Sequence, residues 1–353
     1  MTSWLRKYPL TPALVGAAFF ALSLGPDSVR EPLLKRLNAY LSPQQIKDLI
    51  KTLKWLFIID STIYTNGVLN ELALNNFHSE PKGKWTWSEE IAVITGAASG
   101  FGKLFTQDLT AKGIHVVALD ISDAPQDLLS NQRVTFMKCD VTSSDAVRET
   151  AKKIQETVGH PSILINNAGI ANSHLVMDTT PEALQKIVGV NLLSHYYMVQ
   201  QFLPNMIEKK KGHIVSIASM ASFVSSPNMV DYSITKAGVM AFHEGLSGEI
   251  RSIHQCPEIK TTIVHPLWAL TAMVAPHAEV LKKGGQKIMD PQDVSDAVVD
   301  QIINRRSGKL IIGQGTGVIK RFRFFPEWLT YFVKRSMLEP KSMYAPGAQK
   351  KVA

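Results

Sequence analysis

Two kinds of hydrophobic pattern meet near residue 85. Beyond it, short apolar runs alternate with longer amphipathic stretches. Ile91-Ala92-Val93-Ile94 is a compact aliphatic run, and similar runs fall at 114–119, 134–137, 162–165, 213–217, 261–264 and 310–312. Runs of this length without alternation predict strands buried on both faces, as in a parallel sheet. Helical spacing fills the intervals at 101–112, 144–156, 181–203 and 232–252, and Asp290-Pro291 opens a further helix with a favoured cap and a proline at its first position. Strand and helix alternating over about 230 residues predict an α/β fold: one Rossmann-type doubly wound parallel sheet with helices on both faces. No repeat of fixed period is visible.

Before residue 85 the pattern differs. Leu10 to Leu24 is apolar throughout and ends at Gly25-Pro26. As a helix it would be roughly 22 Å long, short of the roughly 30 Å hydrocarbon core. Arg6 and Lys7 precede it, with Trp4 and Tyr8, residue types that suit a membrane boundary. A second stretch, Ile46 to Leu74, begins with Lys47, Asp48, Lys51 and Lys54 and then becomes apolar at Trp55-Leu56-Phe57-Ile58-Ile59. The two could form a hairpin that dips into one leaflet, or lie in the interface. A signal peptide shares the basic start and apolar centre, although no clean small-x-small cleavage site follows. A helix packed on the next domain is the other alternative. The expected organisation is a membrane-associating helical segment at 1–85, a catalytic domain at 86–315 and a basic, aromatic tail at 316–353.

Composition narrows the function classes. An apolar content of 45% in 353 residues excludes global disorder. The two cysteines, Cys139 and Cys256, have no metal-binding spacing, so no disulfide framework and no metal site is expected. Charge is uneven. Arg305 to Ala353 holds eleven Lys and Arg against Glu327 and Glu339, a net of +9, which leaves −1 for the rest of a chain of +8. With no nucleic-acid-reading motif, this basic end points to an anionic membrane surface. Lys320 to Arg335 interleaves aromatics with cations, which would seat rings at headgroup depth; aromatic core packing is the plainer alternative.

The candidate chemistry begins at Thr95-Gly96-Ala97-Ala98-Ser99-Gly100-Phe101-Gly102, after the first strand and at the start of a helix. Glycines there let the backbone approach a pyrophosphate, and the helix N-terminus supplies free N–H groups. Asp120 ends the second strand 24 positions after Gly96. Its carboxylate can accept from ribose hydroxyls and would repel a 2′-phosphate, so NAD is expected over NADP, with NADP left open. Asp140 sits where an adenine-edge contact would fall, and Asn166-Asn167-Ala168-Gly169 follows the fourth strand. Tyr232-x-x-x-Lys236 puts phenol and ammonium on one helix face, where a cation would draw the phenol pKa down. Such a tyrosine can exchange a proton with an alcohol or alkoxide.

These residues, in this order, resemble the short-chain dehydrogenase/reductase family from about Glu90 to Gly313, with Ser219 lying 13 residues before Tyr232. The resemblance implies Tyr232 as acid/base, Ser219 as holder of the substrate oxygen, Lys236 on the nicotinamide ribose and Asn191 in a water-linked proton path. It implies a cofactor site of Gly96, Ser99, Gly100, Phe101, Gly102, Asp120, Asp140, Val141, Asn167, Ala168, Gly169, Tyr232, Lys236 and Thr271, the last meeting the nicotinamide carboxamide. One departure stands out: Pro266-Leu267-Trp268 replaces the usual Pro-Gly, adding an apolar wall. A substrate lid is expected at 272–289, hinged at Gly284-Gly285 and rich in apolar residues, which suits a lipophilic substrate.

The apolar leader is similar to that of membrane- and lipid-droplet-associated retinol and hydroxysteroid dehydrogenases. The implied protein is an NAD(P)-dependent oxidoreductase acting on an alcohol or ketone of a terpenoid, steroid, retinoid or polyketide. It would sit on the endoplasmic reticulum or a lipid droplet with its catalytic domain facing the cytosol. A homodimer through the tyrosine-bearing helix is implied by the resemblance alone. A ketone reductase of a specialised-metabolite pathway, a non-catalytic lipid-surface protein with this fold, and a soluble enzyme whose N-terminal helices make a dimer interface or a substrate cover are the rival readings.

Overall fold

The computed structural model describes residues 11–77, 85–319, 321 and 324–338. The chain separates into two compact units, 1–77 and 78–353. In the first, α1 (Thr11–Ser23), α2 (Asp27–Leu37) and α3 (Pro43–Leu74) follow one another through short turns. Ser42 starts α3 with a reciprocal capping box to Gln45 and Pro43 in the first turn, which satisfies otherwise orphaned N–H groups. A Cβ on Gly16 of α1 would meet the Phe57 ring of α3 at 2.6 Å, so glycine permits this close contact. Phe19 stacks on the same ring, with centroids 6.3 Å apart. Beyond this seam little is buried: Trp55, Leu56, Ile58, Ile59 and Ile63 of α3 remain exposed. The expected apolar stretches are therefore helices, with the additional helix α2 between them. Trp4, Arg6, Lys7, Tyr8 and Leu10 lie outside the described residues.

The second unit is built on seven parallel strands in the order β3-β2-β1-β4-β5-β6-β7. They are β1 (Ile91–Thr95), β2 (His115–Asp120), β3 (Val134–Lys138), β4 (Ile163–Asn166), β5 (His213–Ile217), β6 (Lys260–Pro266) and β7 (Gly308–Ile312). The helices are α4 (Gly100–Ala111), α5 (Gln126–Leu129), α6 (Ser144–Thr157), α7 (Pro181–Val188), α8 (Ser194–Glu208), α9 (Val230–Ser252), α10 (Ala278–Lys283), α11 (Pro291–Ile303), α12 (Thr316–Ile319) and α13 (Glu327–Leu338). Alternation along each strand divides the core between two faces. Val93, Val117 and Leu164 pack with residues of α6, α8 and α9, whereas Ala92, Ile94, Val116 and Ile163 pack with α4 and α11. This sandwiching explains why the strands read as continuous aliphatic runs.

The sheet reverses order between β1 and β4, and a crevice opens beyond the strand C-termini at such a switch point. One predicted element changes character. The continuous helix expected at 181–203 is interrupted at Gly189–Leu193 by a wider π-helical turn and then runs on to Glu208. Asn191 lies in that turn, and its side chain is recruited by a distant loop.

Candidate functional site

The end of β1 and the end of β4 are locked by side chain to backbone bonds. Thr95 Oγ1 accepts from the N–H groups of Asn167 and Ala168, both at 3.0 Å. Asn167 Nδ2 donates to the carbonyls of Thr95 (2.9 Å) and Gly96 (3.1 Å). A side chain on Gly102 would strike the Gly96 carbonyl and the Asn167 amide. Glycine is required there for space, whereas Gly100, with φ +52, is required for conformation and has room around it. Gly96, Ser99, Gly100, Phe101 and Ala168 all line one cleft of about 2210 Å³. A backbone cradle opening onto a helix N-terminus fits a dinucleotide pyrophosphate.

The end of the cleft beside β2 and β3 is acidic. Asp120 is held by the N–H groups of Ala98 and Ser122, each at 2.9 Å. Lys138, paired with Asp120 in the sheet register, turns instead to Asp123 at 2.7 Å, and Lys103 turns to Asp127 at 3.0 Å. Asp140 accepts from the Thr142 N–H and hydroxyl, a local turn that presents Val141 to the cleft.

At the other end, Ser219, Tyr232 and Lys236 line the same cleft. Ser219 begins a short turn after β5, and its Oγ accepts the Ala221 N–H at 3.1 Å. Burial pushes the Tyr232 phenol above its ordinary range, outweighing the neighbouring Ser219 side chain, which favours the phenolate. The expected effect of Lys236 on this phenol is therefore corrected. Its Nζ lies 5.7 Å from the tyrosine ring centroid and donates to the Ile217 carbonyl at 2.8 Å. Burial lowers the lysine's own pKa to about 8, because desolvation disfavours the charged form of each group.

Asn191 is wholly buried. Its Oδ1 accepts the Ile170 N–H (2.8 Å), and its Nδ2 donates to the Ile170 carbonyl (2.9 Å) and Thr235 Oγ1 (3.1 Å). A Cβ on Gly169 would lie 3.5 Å from Lys236 Nζ and 3.6 Å from Asn191 Oδ1, which places these three positions together. Thr271 faces the glycine turn, 3.7 Å from where a Gly100 Cβ would be. The 272–289 segment is tied at its base by Met289 N–H to the Trp268 carbonyl (2.8 Å) and Leu270 N–H to the Met289 carbonyl (3.1 Å). Only Gly285 of the expected glycine hinge has positive φ (+77); Gly284 caps α10. Trp268, Met273, Val274 and Val280 line the cleft.

His265 went unmarked in the sequence. It ends the apolar run of β6, is fully buried, and its Nδ1 donates to the Ser219 carbonyl at 3.0 Å. A polar residue inside a buried strand must find a partner, and that is the sequence signal that could have drawn attention to it.

A short chain dehydrogenase profile matches residues 90–281, more than half of the chain. The chain is 41% identical over 196 residues to dehydrogenase RED2 of Cochliobolus heterostrophus, covering 56% of this chain and 73% of that protein. It is 31% identical over 233 residues to retinol dehydrogenase 10-A of Xenopus laevis, covering 57% and 68%. Among solved structures, the ligand-free aldohexose dehydrogenase of Thermoplasma acidophilum superposes with a TM-score of 0.57 at 24% identity, covering 65% of this chain and 94% of that one. A 4-hydroxyisoleucine dehydrogenase complexed with NADH gives 0.59 at 22%, covering 64% and 98%. The chain therefore belongs to the short-chain dehydrogenase/reductase family of oxidoreductases.

Proposed function

We propose that this protein is a membrane-associated, NAD-preferring dehydrogenase that interconverts an alcohol and a carbonyl on a lipophilic molecule. The observation that carries the reading is the placing of Ser219, Tyr232 and Lys236 at one end of a cleft whose other end is the glycine turn. When bound, a nicotinamide supplies a hydride acceptor or donor at its C4. Tyr232 takes the hydroxyl proton during oxidation and returns it during reduction. Ser219 holds the substrate oxygen against the phenol, and Lys236 would bind the nicotinamide ribose. Asn191, bonded to Ile170, keeps a polar path open beside Lys236. The turn at Gly96–Gly102 seats the pyrophosphate, with Ser99 and Phe101 at the helix entrance. Asp120 receives the ribose hydroxyls, Asp140 and Val141 flank the adenine, Asn167, Ala168 and Gly169 brace the adenosine side, and Thr271 meets the carboxamide.

Two features support NAD. The Asp120 carboxylate is held at the end of β2 by the Ala98 and Ser122 N–H groups, and Lys103 and Lys138 are engaged by other acids. The apolar lining of Trp268, Met273, Val274 and Val280 supports a lipophilic substrate. Retinol is the compound named for one relative, and retinoid, steroid, terpenoid and polyketide alcohols all have the required apolar body.

The membrane reading draws on both ends of the chain. α1 carries no charged residue, and α3 exposes a run of large apolar side chains. Among the described residues no single helix is long and apolar enough to cross a bilayer, while 12–23 and 27–37 pass that test together but are bent by 92°. That geometry supports a segment lying in, or dipping into, one leaflet. Trp328, Tyr331 and Phe332 of α13 are exposed as well; Lys320, Phe322 and Arg323 lie outside the described residues.

The activity is tested by following reduced-cofactor absorbance over a panel of lipophilic alcohols with NAD and with NADP. Cofactor binding without turnover on any of them would leave a binding protein. Fractionation of the full chain beside one lacking residues 1–80 tests the location: the full chain is expected with membranes, and equal soluble fractions would defeat that part.

A further inference from the structure

We propose that His265 is a positioning residue that holds the Ser219 carbonyl and thereby aims the Ser219 hydroxyl at Tyr232. The β5–β6 ladder runs from His213 opposite Lys260 to Ile217 opposite Val264 and is extended by Ala218 N–H to the Val264 carbonyl at 2.8 Å. Its next rung would need an N–H from residue 266, which is proline and has none. Ser219 thus leaves the sheet where backbone pairing stops. The imidazole of His265 takes over, donating from Nδ1 to the Ser219 carbonyl at 3.0 Å. The same carbonyl accepts the Ser222 N–H at 3.0 Å, so the turn carrying the serine is held from two directions. Phe223 packs on the imidazole, ring centroids 4.7 Å apart, and fixes its plane.

A carbonyl only accepts, so Nδ1 must carry the proton. Nε2 is buried with no hydrogen-bond partner among the described residues, so a second proton there would be unpaired. Burial lowers the ring's pKa to about 4; Lys309 of β7 and Lys236 of α9 act in the same direction, and the Ser219 carbonyl acts against them. His243 of α9 is buried beside this group and is itself lowered to about 3. His265 is accordingly a neutral donor of fixed tautomer through the neutral pH range. It does not line the cleft; its action passes through Ser219, the side chain that draws the Tyr232 phenol down against the upward pull of burial.

The inference rests on the hydride-transfer reading only for its effect on turnover, and a spectroscopic titration separates the two. The difference in phenolate absorbance between the full-length protein and its Tyr232→Phe variant isolates the titration of Tyr232. His265→Leu, which keeps bulk and removes the donor, is expected to raise that midpoint by about one unit. Alcohol oxidation near neutral pH, which needs the phenolate, should fall on the order of tenfold with cofactor affinity unchanged. His265→Asn, whose amide reaches the Nδ1 position, should restore both; His265→Gln, whose amide lies farther out, should not. In a Ser219→Ala background, His265→Leu should add nothing, since the effect travels through Ser219.

An unmoved Tyr232 midpoint in His265→Leu would overturn the proposal, as would equal behaviour of the Asn and Gln variants or additivity with Ser219→Ala. If His265→Leu fails to fold, the Asn and Gln pair decides. A shifted midpoint in a protein that oxidises no alcohol would uphold His265 while removing the dehydrogenase reading.

Discussion

The two ends of the cleft are built by different means. At the cofactor end the backbone forms the surface, and Thr95 and Asn167 hold it by bonds to main-chain atoms. At the chemical end side chains form the surface, half-buried Ser219 and Tyr232 over buried Lys236, and several groups there are moved away from their ordinary pKa values. The contrast teaches where each end is vulnerable. The first fails when an atom is added, because its walls are already in contact. The second fails when a proton or a hydrogen bond is displaced, because its groups are held out of water and depend on a few partners.

The largest effect should come from the chemical end. Tyr232→Phe keeps the ring and removes the acid/base, and a loss of about 10²–10⁴-fold in kcat with little change in cofactor affinity is expected. Undiminished rates for the variant would take Tyr232 out of the mechanism. Next, at the cofactor end, Gly102→Ala must displace the Gly96 carbonyl. Overpacking of this kind costs about 1–3 kcal/mol, so NAD affinity should fall roughly 10–100-fold. Gly100→Ala meets no such wall and should be milder, limited by its positive φ. Calorimetric titration of both variants with NAD checks the order, and equal losses would show that space is not what Gly102 provides.

Smaller still is the effect expected for Asp120→Ser. It removes the charge that repels a 2′-phosphate, so the NADP-to-NAD ratio of kcat/KM should rise about tenfold. An unchanged ratio would place the cofactor discrimination elsewhere.

The smallest effect concerns stability and carries a definite sign. Lys236 titrates near 8 when folded, below its ordinary value of 10.5. The unfolded chain therefore binds the extra proton between these two values, and folding stability rises with pH across that window. Below it the native protein bears the full cost of the buried ammonium. Lys236→Met, although inactive, should melt a few degrees higher at pH 7, with the gain shrinking from pH 8 upward. Thermal melts across this range test it, and a variant less stable at pH 7 would show that the bond to Ile217 outweighs desolvation.

Reading the chain in one dimension already locates the glycine-lined end of the cleft. Its parts are contiguous, Thr95 to Gly102 and Asn167 to Gly169, and each follows a strand whose apolar run marks it. The composition of 181–203 is helical throughout and predicts one continuous helix. The π-helical turn at Gly189–Leu193 accompanies a bond from Asn191 to Ile170, 21 residues away, which no local spacing announces. Likewise, the i,i+4 spacing of Tyr232 and Lys236 suggested a cation acting on a phenol. Burial, which depends on the whole fold, reversed the balance.

By itself the sequence determined the parallel sheet, the strand-to-helix glycine turn, the carboxylate at the end of the second strand and the order of the serine, tyrosine and lysine. Those features depend on periodicity and on residue type at short range. Only the tertiary structure decided how far each buried group is taken from water, which carbonyl Lys236 faces, and that His265 reaches across from β6 to hold Ser219. Those outcomes arise from solvent exclusion and from contacts between residues tens of positions apart, and neither is encoded in any local window of the chain.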